Sequence, residues 1–180
     1  MANDRKIIMT PEFRLSYPHL FEAREYQGKT SFSMTMVFPK GADLTQLKAA
    51  AKAALDAKFP NGIKNPRNPF QDGNEKVEDW GESFRDTTYV RAQSQYKPKV
   101  VDANRTEILD SEKIYPGCYC RALVAAYAYD NAGNRGVSFS LEAVQFLRDG
   151  ERLGGGVSVD MFDDGKVSPE AKTDPFANDF

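Results

Sequence analysis

Gly117-Cys-Tyr-Cys-Arg-Ala-Leu-Val-Ala-Ala-Tyr-Ala-Tyr-Asp130 separates into two unlike faces when taken with the period of two that a β-strand imposes. The even positions, Cys118, Cys120, Ala122, Val124, Ala126 and Ala128, are small and apolar, as the inside of a tightly curved sheet requires. The odd positions carry Tyr119, Arg121, Leu123, Ala125, Tyr127 and Tyr129. A strand this long bends, so Leu123 and Ala125 are expected to be buried midway while the ends show rings and a cation. Flat rings beside positive charge on a curved sheet suit the bases and phosphates of a nucleic-acid single strand. The pattern equally fits tyrosines that merely cap a core, and the stretch alone does not separate the two readings.

Working outward, Asn131-Ala-Gly133-Asn134 is a hairpin turn. It returns into a strand over 136–147, where Val137, Phe139, Leu141 and Ala143 alternate with Ser138, Ser140 and Glu142. Asp149-Gly150 turns again, and Leu153-Gly-Gly-Gly156 leads to a last strand over 157–162. Upstream, 87–96 reads as a strand whose parity places Tyr89, Arg91, Gln93, Gln95, Lys97 and Lys99 on one side, provided no bulge intervenes at Pro98. Val100 and Val101 return to the core before a turn over 102–105. In 30–38, Phe32, Met34, Met36 and Phe38 make one face of a half-buried strand. A shorter strand over 12–17 is closed by Pro18, and the residues before about Met9 read as a loose arm containing Arg5 and Lys6.

One helix interrupts the strands. Asp43 with Gln46 three residues on has the spacing of a capping box. The stripe Leu44, Leu47, Ala51, Ala54 and Leu55 carries the helix to about Lys58, where Phe59-Pro60 stops it. From Pro60 to Asn74 the chain is so rich in Pro, Asn and Gly that no regular element is expected. Lys64, Arg67 and Phe70 would make this loop a nucleic-acid flap; a solvated connection fits as well. The stretch 77–84 fits neither helix nor strand cleanly, and its Trp80 reads as a packing anchor.

At 180 residues and 41% hydrophobic content the chain suits one domain with a full core. Its formal charge of −2 conceals an asymmetry. Over 163–180, Asp163, Asp164, Glu170, Asp174 and Asp179 outweigh Lys166 and Lys172, giving −3 and leaving +1 for the remainder. Residues 1–162 therefore read as one binding domain and 163–180 as a disordered acidic tail. No apolar run nears the roughly 20 residues of a membrane span, and the N-terminus lacks a secretory apolar segment, so a cytoplasmic protein is expected. Cys118 and Cys120 sit side by side on one face, a poor geometry for a mutual disulfide, and read as buried thiols. With one His, His19, the sequence offers neither a zinc set nor an acid–base relay, and no phosphate-cradling Gly-rich loop precedes a Lys. No metal or cofactor is expected.

Several stretches together resemble the small phage single-stranded DNA-binding proteins. They are Phe-Arg-Leu-Ser-Tyr-Pro-His-Leu-Phe-Glu (13–22), Lys-Pro-Lys-Val-Val-Asp (97–102), Tyr-Pro-Gly-Cys-Tyr-Cys-Arg (115–121), Gly-Val-Ser-Phe-Ser-Leu-Glu-Ala-Val-Gln (136–145) and Asp-Gly-Glu-Arg-Leu-Gly-Gly-Gly (149–156). More distantly, the order of elements is similar to the replication binding protein of short-tailed coliphages. The resemblance implies an oligonucleotide/oligosaccharide-binding (OB) barrel that coats single strands in phage replication and recombination, in the host cytoplasm. It further implies a tail ending in an aromatic that recruits polymerase, helicase or primase and competes with DNA, here Asp174, Phe176, Asp179 and Phe180. Tyr127 and Tyr129 fall at its aromatic DNA contacts, and Lys97 and Lys99 in its basic segment. The tail here is shorter and less acidic, and the helix comes before most of the strands.

The fold expected is thus mainly β with one helix: an OB barrel of about five strands, a Pro/Asn/Gly-rich loop and an acidic tail. The residues expected to contact single-stranded DNA are Tyr89, Tyr96, Tyr119, Tyr127 and Tyr129 on bases, and Arg91, Lys97, Lys99, Arg121 and Arg135 on phosphates, with Lys64 and Arg67 from the loop. Duplex DNA is expected to bind weakly, and a homodimer is compatible with the sequence. Two other readings stand beside this one. One is a Mg²⁺-dependent processing enzyme using Asp102, Asp110 and Glu112; the other is a structural or interaction module with an exposed tyrosine face.

Overall fold

Apolar residues set at every second position turn to one side and wrap their strands about a single core. Phe13 and Leu15, Met34, Met36 and Phe38, Val90 and Ala92, and Cys118 to Val124 at even positions are all buried there. In the structure, a computed structural model that describes residues 6–153, these become eight strands: β1 (Ile7–Met9), β2 (Phe13–Tyr26), β3 (Lys29–Pro39), β4 (Gln71–Asp72), β5 (Thr87–Ser94), β6 (Lys99–Val101), β7 (Tyr119–Asn131) and β8 (Asn134–Arg148). The described helices are α1 (Thr45–Lys58) and the single-turn α2 (Val77–Trp80), with short 3-10 turns beside α2 and at Ser111–Lys113.

Five long strands carry the architecture. β7 pairs with β2, β2 with β3, β3 with β5, β5 with β8, and β8 with β7, so the pairings close into a ring. Numbered by themselves, these strands run 1-2-3-5-4 around the ring, and the third and fifth are its one parallel pair. This is the five-stranded Greek-key arrangement of an OB fold. β1, β4 and β6 extend it at its margins. α1 connects the second and third ring strands and packs Leu44, Leu47 and Ala51 into the core beside β7 and β8.

Some local expectations are overturned. Ile7–Met9 is no loose arm: it pairs with 123–125 of β7 and buries Ile8. Pro18 does not end its strand. Tyr17 and Pro18 together oppose a single residue of β3, between the pairs Ser16–Thr35 and His19–Ser33, and this bulge accommodates a residue without an N–H. β2 then continues to Tyr26. The capping box is not formed either. Asp43 accepts from Thr45 N–H (3.0 Å), while the residue preceding α1, Leu44, has no side-chain cap. β3 is buried on both faces from Ser33 to Phe38 rather than on one. On β7, Ala125 is buried as expected, whereas Leu123 is exposed.

β8 contains a bulge that changes which residues face inward. Leu123 pairs with Ala143 and Val124 with Leu141, leaving Glu142 over. Val137, Phe139 and Leu141 point to the core, after which Val144 and not Ala143 does so. The turn between β7 and β8 has Ala132 at φ 54° and Gly133 at φ 91°, the two positive values of a type I′ hairpin. The turn between β2 and β3 repeats the pattern at Gln27 and Gly28. The last strand expected over 157–162 and the tail lie outside the described residues.

Candidate nucleic-acid interface

The outer surface of the ring is polar because the alternation that fills the core turns polar residues outward. Register places them in rows. Gln93 of β5 is level with Ser33 of β3 and with Ser140 of β8, which is level with Ala125 of β7. Arg91 lies beside Thr35, Tyr127 beside Ser138, and Tyr129 beside Gly136. Across the rows, Gln93 Nε2 donates to Tyr127 Oη (3.4 Å).

Two open hollows meet over Arg91, Gln93 and Tyr127 and form one trough. The first, about 610 Å³, is bounded by Arg67 and Gln71, Tyr89, Tyr129 and the β7–β8 turn. The second, about 790 Å³, runs on to Arg24, Gln27 and Lys29 at the β2–β3 turn and to Tyr96, which is 80% exposed. Four tyrosines (Tyr89, Tyr96, Tyr127, Tyr129) and four cations (Arg24, Lys29, Arg67, Arg91) line it, and among the described residues no Asp or Glu does. In a chain of net charge −2 that is a local concentration of positive charge facing water. His19 registers it: partial burial, and then Arg24 and Arg91, hold its imidazole below the ordinary value. Burial, with Glu75 behind it, pushes the Tyr89 phenol up.

The Pro/Asn/Gly-rich loop is stitched to the trough's rim. Arg67 N–H donates to Arg135 O (2.9 Å) and Val137 N–H to Arg67 O (3.4 Å). Gly136 permits this approach, since a Cβ there would lie 2.7 Å from Arg67 Cβ and 2.9 Å from its carbonyl oxygen. Phe70 leaves the rim and packs edge-on against Phe139 in the core.

The remaining candidates lie elsewhere. Tyr119 meets two guanidinium groups, with Arg148 at 3.9 Å and Arg14 at 5.7 Å from its ring centroid. Arg121 Nε donates to Gln145 Oε1 (2.6 Å). Arg135 pairs with Asp130 (3.0 Å) across the hairpin, with Phe59 beneath it. Lys97 sits over the Phe21 ring, Lys99 faces solvent on β6, and Lys64 is exposed; none of the three lines the trough. The tail residues Asp174, Phe176, Asp179 and Phe180 lie outside the described residues.

Arg24 and Lys29 were not foreseen. Reading Pro18 as a stop hides the second half of β2 and the hairpin tip that carries them. Two of the three carboxylates of the enzyme reading, Asp102 and Asp110, hold turns. Asp102 Oδ1 accepts from Asn104 and Thr106 N–H, and Asp110 Oδ1 from Glu112 N–H. Among the described residues no three His, Cys, Asp or Glu side chains converge as a metal site. Cys118 and Cys120 are buried and unbridged, with sulfurs 3.6 Å apart.

An OB ring uses the face of its second and third strands and the loops joining strands 1–2 and 4–5 to bind oligonucleotides or oligosaccharides. Here those are β3 and β5 and the turns at Gln27-Gly28 and Ala132-Gly133, the borders of the trough, so fold and site define an OB-type binding module. The chain belongs to the family described as Enterobacter phage Enc34, ssDNA-binding protein, whose model matches residues 5–172. It is 36% identical over 174 residues, covering 87% of this chain and 92% of the relative, to the putative protein p50 of Acyrthosiphon pisum secondary endosymbiont phage 1. Its fold matches the single-stranded DNA-binding protein from bacteriophage Enc34 in complex with ssDNA, with a TM-score of 0.70, 21% identity, and coverage of 82% and 89% of the two chains. It also matches gp2.5, a single-stranded DNA-binding protein encoded by bacteriophage T7, with a TM-score of 0.61, 13% identity, and coverage of 86% and 98%. Among the described residues no helix is long and apolar enough to cross a membrane.

Proposed function

We propose that the protein binds single-stranded DNA without sequence preference during phage replication and recombination, in the cytoplasm of the host, and catalyses no reaction. The observation that carries this reading is a trough lined, among the described residues, by four tyrosines and four cations and by no carboxylate. Bases stack on Tyr89, Tyr96, Tyr127 and Tyr129, which is sequence-tolerant because every base has a π-face. Arg24, Lys29, Arg67 and Arg91 take the phosphates. Stacking contributes roughly 1–3 kcal/mol per base, whereas micromolar binding requires about 8 kcal/mol net of the costs of ordering. Four rings give a gross ~4–12 kcal/mol against an association and ordering cost of ~4–15 kcal/mol, so the rings supply part of the affinity and the cations the rest. Tyr119 already carries the Arg148 guanidinium at 3.9 Å and Arg14 at 5.7 Å from its ring, away from the trough, so it supports the fold and is not a stacking platform.

A titration of the full chain with fluorescent oligo-dT, and with a duplex of equal length, tests this. Tight binding to the single strand and much weaker binding to the duplex are expected; no binding to oligo-dT would refute it. The same strands should remain uncut after incubation with Mg²⁺ or Mn²⁺.

The acidic segment 163–180 is proposed as a competitor for the trough and as a docking peptide for a replication protein, on the strength of its charge and of Phe176 and Phe180 among Asp174 and Asp179. Truncation after Phe162 should tighten single-strand binding at low salt and reveal weak duplex binding. Replacing Phe176 and Phe180 should abolish polymerase, helicase or primase capture while leaving DNA binding intact.

A further inference from the structure

The bulge in β2 sets Tyr17 at φ 47°, a conformation that a residue with a bulky side chain seldom adopts. Such backbone persists only where its surroundings over-determine it, and it concentrates at sites of function. Burial of the ring does not account for it here, because Tyr17 is 48% exposed. Trp80 holds it in place, with ring centroids 5.3 Å apart and planes tilted by 58°. Trp80 in turn meets Tyr89 edge-on at 5.3 Å, and Tyr89 lines the trough. Rings thus continue from the trough, by way of Tyr89 and Trp80, to β2 on the opposite side of β3. Trp80 has little face to offer, since Lys76 lies 5.0 Å above its ring and Phe84 packs against it. The exposed ring in this group is Tyr17.

We infer that Tyr17 forms a second stacking subsite, which takes a base of the single strand at the point where the strand leaves the trough over Tyr89. The inference rests on the reading of the trough as a single-strand site. Charge determines which part of the nucleotide arrives. Arg24 and Arg91 lie on the trough side, close enough to His19 to influence its titration. The segment 75–85 around Trp80 carries Glu75, Glu78, Asp79 and Glu82 against Lys76 and Arg85, the last paired with Glu82 (2.6 Å), and its net charge of −2 disfavours phosphate. The phosphodiester therefore stays with the arginines while the base turns onto Tyr17, and the path ends there.

Trp80 is the only tryptophan in the chain, so its emission reports on this place without labelling. Oligo-dT of roughly 4 to 16 nucleotides, the range of site sizes for one OB fold, is titrated while binding is followed separately by polarisation of a labelled strand. Trp80 emission is expected to change in two steps, a first with oligomers that reach Tyr89, which meets Trp80 edge-on, and a second, absent in Tyr17→Asn, only with those long enough to pass it. Tyr17→Asn keeps a residue that tolerates positive φ and removes the ring. It should weaken binding of those longer oligomers roughly 5- to 150-fold and leave the shortest unaffected, whereas Tyr17→Phe should bind all lengths like the parent. Polarisation that reports binding at every length without the second step in Trp80 emission overturns the subsite and leaves the trough intact. A Tyr17→Asn protein that binds long oligomers normally does the same. Absence of any binding by the parent would instead refute the trough reading and the subsite with it. Should Tyr17→Asn fold poorly in a thermal melt, the emission of the parent still decides.

Discussion

Arg91 is exposed where the two hollows join and faces no carboxylate of the lining, so replacing it should change how binding responds to salt as well as how tight it is. Each phosphate neutralised on a single strand contributes about −0.7 to the slope of log K against log salt. With four lining cations the parent slope should lie near −2.8, and Arg91→Ala should bring it to about −2.1. Between about 50 and 200 mM salt the parent then loses roughly 50-fold in affinity and the variant roughly 20-fold. Polarisation of labelled oligo-dT across a salt series measures both. Arg91→Lys should keep the parent slope, and Lys64→Ala, outside the trough, should leave it unaltered. A variant slope equal to the parent's, or an equal reduction by Lys64→Ala, would show that the phosphates do not follow the trough.

Tyr127→Ala should weaken oligo-dT binding by roughly 1–3 kcal/mol. Tyr119→Ala should leave that affinity unchanged and lower stability to urea by about 1 kcal/mol, through loss of its two guanidinium contacts. Gly136→Ala forces the loop at Arg67 away from β8 and should cost about 1–3 kcal/mol of stability in urea unfolding, with weaker DNA binding because Arg67 moves with the loop. His19 holds its proton less tightly in the folded chain than its unperturbed value of 6.5. Its contribution to stability is therefore complete above about pH 6.5 and declines as pH falls through that value towards the lower folded one. Burial is the larger cause of the depression and persists, but phosphates beside Arg24 and Arg91 offset the part those arginines cause, so oligo-dT binding should tighten from about pH 7.5 to 5.5 and lose that dependence in His19→Gln.

The β7–β8 hairpin was legible because its turn contains Gly133 at a positive φ and the sequence alternates on either side of it, in β8 as far as Leu141. Parity also put Tyr89, Arg91, Tyr127 and Tyr129 on the outer surface. Parity identifies a face but not a position along it, however, and Tyr119 and Arg121 share the odd positions of Tyr127 while standing near the far end of the strand. There Arg14, Arg148 and Gln145 engage them, partners that only the tertiary pairing of β2, β7 and β8 brings near. Bulges hid the rest. A proline that normally punctuates a strand concealed half of β2 and with it Arg24 and Lys29, and one surplus residue, Glu142, exchanged Ala143 for Val144 in the core. A bulge costs a strand its periodicity, which is the very signal that sequence reading uses.

The ring closes between its first and fourth strands, through contacts such as that of Arg14 with Gly117 across 103 positions of sequence. One wall of the trough belongs to β5 and the other to the hairpin made last among the described strands. A nascent chain that has emerged only as far as β5 therefore holds an open sheet with unpaired edges and half of a binding surface. The final hairpin forms locally, within microseconds, but must then dock parallel to β5, a non-local step of the kind that slows folding. Competence for nucleic acid consequently arrives only once β8 has been made, and fragments truncated before Ser140 should be inert as well as prone to aggregate.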